Sequence, residues 1–369
     1  MTDRLERGQE IADKPNQVVR INENSYKVKS QSSDNEYEIL KVESGWICSC
    51  ADHMYRGVTC KHIYSVEISQ QIRQQVQQVQ QVVISEIANV CPQCKSEEIV
   101  KHGIRHNKYG DVQRYSCLNC YKRFTNNIGF EKMRASPQII SSAMQLYFTN
   151  ESFRNVQKFL KLQGVEVSHM AVYKWVKKYV SLMEKYLDTI KPNVSNVWRT
   201  DELYLRVKKD TKYLFALMDD ETRFWISQQV SDNKNTSDVR PLFKKGIELT
   251  GKRPTVLISD GAHNFHTAYK KEFSSWRKPR TRHIRHIRIQ GEVHNNKMER
   301  LNNEIRDFEK TRRGIKTIDT PILKGYEIYH NYFRPHKALD NSTPSEKCGI
   351  KIEGKNKWVT LIQNSALKD

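Results

Sequence analysis

Apolar positions recur along this chain with two different periods, and the changes of period divide it. In the first sixty residues they recur every second residue. Tyr26-Lys-Val-Lys-Ser30, Glu36-Tyr-Glu-Ile-Leu-Lys-Val42 and Trp46-Ile-Cys48 read as short strands of a small antiparallel sheet. The period then lengthens. Ile63, Val66, Gln70, Val76, Val79 and Val83 stand at roughly helical spacing, which predicts one helix over 63–88. Its centre, residues 70–81, is glutamine-biased, and its apolar seam is too short for a coiled coil. It reads as a solvated helical spacer, with a coiled-coil contact as the alternative.

A cysteine-bounded stretch, residues 91–125, precedes three helical segments, Pro137–Phe148, Ser152–Gln163 and Ser168–Val180. Ser136, Glu151 or Ser152, and Ser168 stand where N-caps belong, and Gly164 where a C′ glycine belongs. From about residue 196 the strand period returns in Val197–Val207, Tyr213–Met218 and Arg223–Val230, with Lys208-Lys-Asp210 and Asp219-Asp-Glu221 as turns. A helix near Ser237–Leu249 and a strand Pro254–Ser259 follow. Strands followed by helix–strand alternation predict an α/β domain. No long-period repeat is present.

Composition sharpens this picture. Of 369 residues, Lys and Arg number 62 against 42 Asp and Glu, a formal charge of +20, which points to a polyanionic partner. No apolar run approaches the ~18 residues of a membrane span, and MTDRLERGQE has no secretory h-region. A cytoplasmic, nucleoid-associated protein with no membrane partner is expected. In a reducing compartment, clustered cysteines read as metal ligands.

There are two such clusters. Cys48-x-Cys50, nine residues, then Cys60-x-His62 can close a tetrahedron around one zinc ion, with His53 as a possible substitute ligand. Cys91-Pro-Gln-Cys94, twenty-two residues, then Cys117-Leu-Asn-Cys120 is the spacing of a zinc ribbon. Tyr115 and Phe124 would cover the second ion. Lys95, Lys101, Arg105, Lys108, Arg114, Lys122 and Arg123 make this ribbon basic and suited to phosphate. Cys348 is left over as a structural or incidental thiol. The last of the three helices has an apolar face, Ala171, Val172, Trp175 and Val176. His169, Tyr173, Lys174, Lys177 and Lys178 are its polar side, so a helix-turn-helix DNA reader is expected.

Three acids carry the candidate chemistry. Asp201 lies inside a strand, where acids are depleted. Asp260 ends a strand and is followed by Gly261. Glu299 lies on a helix where Asn295, Glu299, Asn303, Arg306 and Lys310 share one stripe. Such a set of oxygen ligands can hold two magnesium ions for phosphodiester chemistry. Glu202, Glu292 and Glu304 are nearby alternatives.

Thr200-Asp-Glu-Leu-Tyr204, Ser259-Asp-Gly261 and His294-Asn-Asn-Lys-Met-Glu-Arg300 resemble the signature segments of insertion-sequence DDE transposases, closest to the insertion-sequence-six type. Arg306 occupies the basic position seven residues after the acid. Tyr332-Phe-Arg-Pro-His-Lys-Ala-Leu339 with Thr343-Pro344 resembles a tail motif shared with retroviral integrases. The resemblance implies a ribonuclease-H-like core. It makes Asp201, Asp260 and Glu299 the metal-binding triad for two Mg2+ (or Mn2+). It also implies cleavage and joining of DNA strands by at least a dimer acting on element ends and target DNA. The interval between Asp260 and Glu299 looks long for the family. Its cations, among them Lys270, Lys271, Arg277, Lys278, Arg280, Arg282, Arg285 and Arg288, read as a basic insertion touching DNA. The N-terminal finger, which resembles the SWIM type, is an addition to compact members of the family.

The expected multidomain chain is thus a SWIM-like finger (1–66), a Gln-rich helical spacer (67–89), a zinc ribbon (90–130) and a helix-turn-helix (136–182). An α/β catalytic domain of mixed sheet and flanking helices (196–346) and a C-terminal tail (347–369) complete it. Two structural Zn2+ are expected. The rival expectations are a domesticated, catalytically silent DNA-binding regulator and a structure-selective nuclease on the same core.

Overall fold

The computed structural model describes residues 2–368 except 15, 23–24, 32, 34, 43–44, 78–80, 88–89, 108–109, 126, 208–209, 274–280, 286–294 and 313–320. It forms two compact units, one on residues 1–80 and one on 81–285 with 295–369.

In the first unit, α1 (Thr2–Ala12) precedes four strands, β1 (Val18–Asn22), β2 (Ser25–Lys29), β3 (Glu36–Val42) and β4 (Gly45–Cys48). They form an antiparallel sheet in chain order. α2 (Ala51–Arg56) and α3 (Lys61–Gln77) follow. The period-two pattern is realised as burial: Tyr26, Val28 and Ile39 point inward onto Ile11 of α1 and Ile63 and Val66 of α3. α1 and β1 are elements that the hydrophobic pattern did not announce. The helix expected over 63–88 ends at Gln77. Val82–Ile84 is instead strand β5, because three consecutive β-branched residues fit a pleated ladder better than a helix.

The second unit continues with the ribbon strands β6 (Ile99–Asn107), β7 (Gly110–Cys117) and β8 (Arg123–Thr125), an antiparallel three-stranded sheet. Three helices follow, α4 (Pro137–Phe148), α5 (Phe153–Leu162) and α6 (His169–Leu187). Ser136, Ser152 and Ser168 accept the backbone N–H three residues on, as N-caps do, and Gly164 takes φ +76° after α5. α6 runs beyond the expected end at 180. Met183, Tyr186 and Leu187 prolong its buried face.

Next come β9 (Val197–Val207), β10 (Asp210–Asp219), β11 (Trp225–Ser231), α7 (Thr236–Thr250), β12 (Val256–Ser259), α8 (His263–Glu272), β13 (Arg282–Arg285) and α9 (Asn296–Arg312). The five strands form one sheet in the order β11-β10-β9-β12-β13. β9, β10 and β11 are antiparallel; β12 and β13 run parallel to β9. This mixed sheet flanked by helices is the α/β architecture that the strand and helix periods predict. Of the basic stretch after Asp260, Lys270 and Lys271 end helix α8 and Arg282 and Arg285 lie on edge strand β13, while Arg277, Lys278, Arg280 and Arg288 lie outside the described residues.

The chain closes with α10 (Pro321–Tyr332), α11 (Pro344–Lys347), β14 (Ile350–Ile352) and α12 (Lys357–Lys368). The last residues are not a loose tail. β14 pairs in parallel with β5, and Trp358 of α12 stacks on Phe333 at 3.6 Å and donates to Gln145 of α4 at 2.8 Å. One apolar core runs from Ile84 through α4–α6 and the five-stranded sheet to Ile362, so the three helices and the α/β segment share an interior. Gly325 of α10 allows this closeness, since a Cβ there would stand 2.5 Å from Phe148 and 2.7 Å from Val180. Among the described residues no helix is long and apolar enough to cross a membrane.

Candidate active site and cysteine clusters

The register of the parallel strands brings two of the three acids together. Ile258 of β12 pairs with Arg199 of β9, so Asp260 stands level with Asp201. β12 ends there, and beyond Arg199 this edge of β9 carries no strand partner among the described residues. Asp201 is half-buried, whereas Asp260 is exposed. Burial, with the charge of Asp260 adding to it, pushes the Asp201 carboxyl up to about 7. Two carboxylates held in this way repel one another, a cost that a bound cation offsets.

Helix α9 runs beside β9 and is tied to it at three levels. Lys297 Nζ donates to the Asp220 carbonyl and carboxylate at 2.8 and 2.9 Å. Asn302 Nδ2 donates to Asp201 Oδ2 at 2.8 Å, and the Arg206 backbone N–H donates to the Glu309 carboxylate. Asp220 is buried and also pairs with the buried Arg199, so the first tie is anchored in the sheet. Glu299 is exposed on this helix one turn before Asn302. The oxygens of the three acids do not all fall within 4.8 Å of one another, unlike the two cysteine sets, which do. The structure thus aligns Asp201 with Asp260 and fixes the helix bearing Glu299 beside them.

Two of the alternative acids are otherwise engaged. Glu202 faces Lys234 at 3.6 Å and Asn264 at 3.5 Å. Glu304 pairs with Arg334 and lies 3.6 Å from His330; burial would raise its carboxyl, but His330 and Arg334 hold it below the usual range. Glu292 lies outside the described residues. The Arg-Pro-His segment is therefore a latch on α9. Thr343-Pro344 is a helix start, with Thr343 and Glu346 forming a reciprocal capping box.

Sequence reasoning missed Asn302. The stripe was drawn through i+4 neighbours and so reached Asn303, whereas the i+3 neighbour faces the sheet. It also missed a polar chain behind Asp260, in which Ser259 Oγ meets His283 Nε2 at 2.9 Å and His283 Nδ1 meets His266 Nδ1 at 3.1 Å. Of the residues expected to touch DNA, Asn303 and Arg306 are exposed on α9, and Arg282 and Arg285 are exposed on β13. Arg280 lies outside the described residues. On α6, Lys174 and Lys177 are exposed and His169 is half-buried; Tyr173 packs edge-on against Phe153 at 5.6 Å.

The first cysteine cluster gathers the side chains of Cys48, Cys50, Cys60 and His62, all buried. His62 Nδ1 stands 3.9 Å from both the Cys48 and Cys60 sulfurs. His53 is not one of the four gathered side chains; its Nδ1 lies 2.9 Å from the Val58 carbonyl. In the second, Cys91 and Cys120 approach to 3.4 Å and Cys94 and Cys117 to 3.5 Å. A tetrahedral zinc with Zn–S bonds of about 2.3 Å needs edges of about 3.8 Å, so both sets are near the required size. Backbone N–H groups of Cys94 and Gln93 hold the Cys91 thiol at about 6. Tyr115 and Phe124 pair across β7 and β8 and stack at 5.9 Å. The leftover Cys348 is buried and donates to Thr222 at 3.2 Å.

Comparison with known proteins agrees with this geometry. Residues 195–336 match the profile of a DDE domain of the IS240 transposase type. The transposase for insertion sequence-like element IS431mec of Staphylococcus aureus is 25% identical over 215 residues, 57% of this chain and 91% of that protein. An uncharacterized protein in transposable element ISH50 of Halobacterium salinarum is 22% identical over 269 residues, 66% of this chain and 86% of its own. The magnesium-bound catalytic core domain of HTLV-2 integrase superposes with TM-score 0.31 at 16% identity, over 43% of this chain and 98% of that one. The α/β segment is thus similar to the DDE domain of transposases, and relatives of the chain include insertion-sequence transposases.

Proposed function

We propose that this chain is the transposase of an insertion sequence, cutting DNA strands and joining the freed ends to target DNA. The alignment of Asp201 with Asp260, with α9 pinned to Asp201 through Asn302, carries this reading. Asp201, Asp260 and Glu299 are an all-oxygen donor set suited to two Mg2+ or Mn2+ ions. When bound, such ions lower the pKa of the attacking hydroxyl and neutralise charge on the leaving oxygen. The protein's share is positional. Asn302 fixes the Asp201 carboxylate, Lys297 and Asp220 seat the start of α9, and the Glu304–Arg334 latch holds its middle. At phosphorus, the oxygen of a water or 3′-hydroxyl forms the new P–O bond as the old one breaks. The nucleophile's proton goes to solvent, and no covalent protein intermediate forms.

The two cysteine sets would each hold a structural zinc. The ribbon cations and the exposed edge of α6 would contact the element ends. Joining two ends requires at least two copies on DNA, and the work is done at the nucleoid.

Strand joining with a supercoiled target tests the proposal. Asp201→Asn, Asp260→Asn and Glu299→Gln should each lower joining by at least about a thousandfold, with binding to end DNA retained. A variant that joins at the wild-type rate removes that residue from the triad. Binding without joining by the wild-type protein would favour the regulator reading, and cleavage without joining the nuclease.

A further inference from the structure

Beyond Asp260 the unpartnered edge of β9 continues as a groove of about 610 Å3 against the second half of α9. Tyr204, Arg206 and Thr211 line one side; Arg306, Glu309 and Lys310 line the other. Tyr204 is half-exposed (50%), and among the described residues of 196–346 it is the one large apolar side chain left exposed. Its ring leans on Tyr213 with centroids 5.2 Å apart. The Glu309 carboxylate accepts the Arg206 backbone N–H, which leaves the guanidinium outside that bond. Among the described residues Arg306 donates to Asn303, a neutral amide, at 3.3 Å. Lys310 meets Asp307 at 3.2 Å, but both are well exposed, and such a pair is weak. The groove therefore joins three cations and one carboxylate to a wet aromatic surface.

We infer that this groove seats an unpaired DNA strand, one base stacking on Tyr204 and its phosphates on Arg206, Arg306 and Lys310. The inference rests on the transposase reading. Within a duplex both faces of a base are covered by its neighbours, so an exposed ring flanked by cations selects a base outside the stack. Tyr204 lies three residues along β9 from Asp201, so its side chain leaves the opposite face of the strand, and the groove marks the path of the DNA strand past the edge of the sheet and not the scissile phosphate itself.

The test uses the full chain and a short duplex with a single-stranded overhang carrying 2-aminopurine, beside the same duplex with blunt ends. Wild type and Tyr204→Phe should quench the overhang fluorescence; Tyr204→Ala should not. Tyr204→Ala should bind the overhang about tenfold more weakly and the blunt duplex unchanged. Arg206→Gln should flatten the salt dependence of overhang binding by about 0.7 in log–log slope. Quenching that survives in Tyr204→Ala, or an equal loss on both DNAs, overturns the inference. Joining by a wild-type protein that fails to quench would sink the groove and leave the transposase reading standing. Quenching without joining would do the reverse.

Discussion

The cysteine modules and the α/β core are built on opposite terms. In the finger, three of the nine core residues are Cys48, Cys50 and Cys60, and the rest are Ile11, Tyr26, Val28, Ile39, Ile63 and Val66. Between residues 91 and 125 the buried apolar positions among the described residues are Cys91 and Cys117. The core of the larger unit is instead filled by Trp198, Trp225, Phe215, Phe243, Phe265 and Phe308, and its one cysteine, Cys348, is a small apolar filler. Modules this small bury too little surface to offset chain entropy, and a bound ion would complete their interior. The proposed catalytic acids differ. Asp201 and Asp260 stand at the rim of a sheet that is already packed, so a metal there would serve chemistry and not folding.

The largest expected effect follows directly. Structural zinc contributes about 10–16 kcal/mol in small finger peptides, more than such a module can supply from packing. A strong zinc chelator should therefore abolish hydrogen-exchange protection across residues 18–66 and 91–125 and leave 137–368 protected. Removing magnesium alone should change neither. Elemental analysis should give about two zinc ions per chain. Less than one, or modules that stay protected without metal, would erase the distinction between the regions.

That same contrast governs how much the sequence disclosed. Paired cysteines announce themselves by spacing, so the two sets that the structure gathers were legible residue by residue. The capped helices were legible too, because a serine before an apolar run is a local signal. The order of strands was not, since it depends on which edge of β9 accepts β12, a long-range choice. Asp201 and Asp260 could be named only as acids in odd places. Their being level is a property of register, which no local pattern encodes. The latch between Glu304 and Arg334 was hidden for the same reason, being thirty residues apart in sequence. The ends of elements misled where tertiary packing outvoted propensity, as in the extension of α6 and the strand at Val82–Ile84.

Acid should weaken both regions, by different routes that a chelator separates. His336 is buried beside His330, Arg334, Arg223 and Glu304, and burial first, then the neighbouring His330, pushes its pKa down to about 3 from 6.5. Its folded form stays neutral while the unfolded chain takes up a proton, so stability is full above about 6.5. It falls as pH drops and levels off below about 3. At pH 5 the loss is about 2 kcal/mol. Urea unfolding of the metal-loaded and chelated protein at pH 7.5, 6 and 5 should show this slope in the larger unit in both forms, reduced in His336→Asn. A slope that disappears with the zinc would assign it to thiolate protonation instead.

The smallest effect is the sharpest test of the contrast, because it asks whether the apolar region fails by degrees. Ser168 Oγ accepts the Ala171 N–H at 3.1 Å and caps a helix whose far end buries Met183, Tyr186 and Leu187. Ser168→Ala removes one bond at a terminus and should cost about 1 kcal/mol, a fall of ~2–4 °C in melting temperature, with the transition still cooperative. Ser168→Asp should recover most of it, since a carboxylate can both cap and oppose the positive end of the helix. Cys94→Ser also changes one atom, yet it should unfold the ribbon outright, because three ligands cannot close a structural zinc site. If Ser168→Ala collapsed its region as completely, or Cys94→Ser produced only a small graded loss, packing and metal would not be different kinds of support.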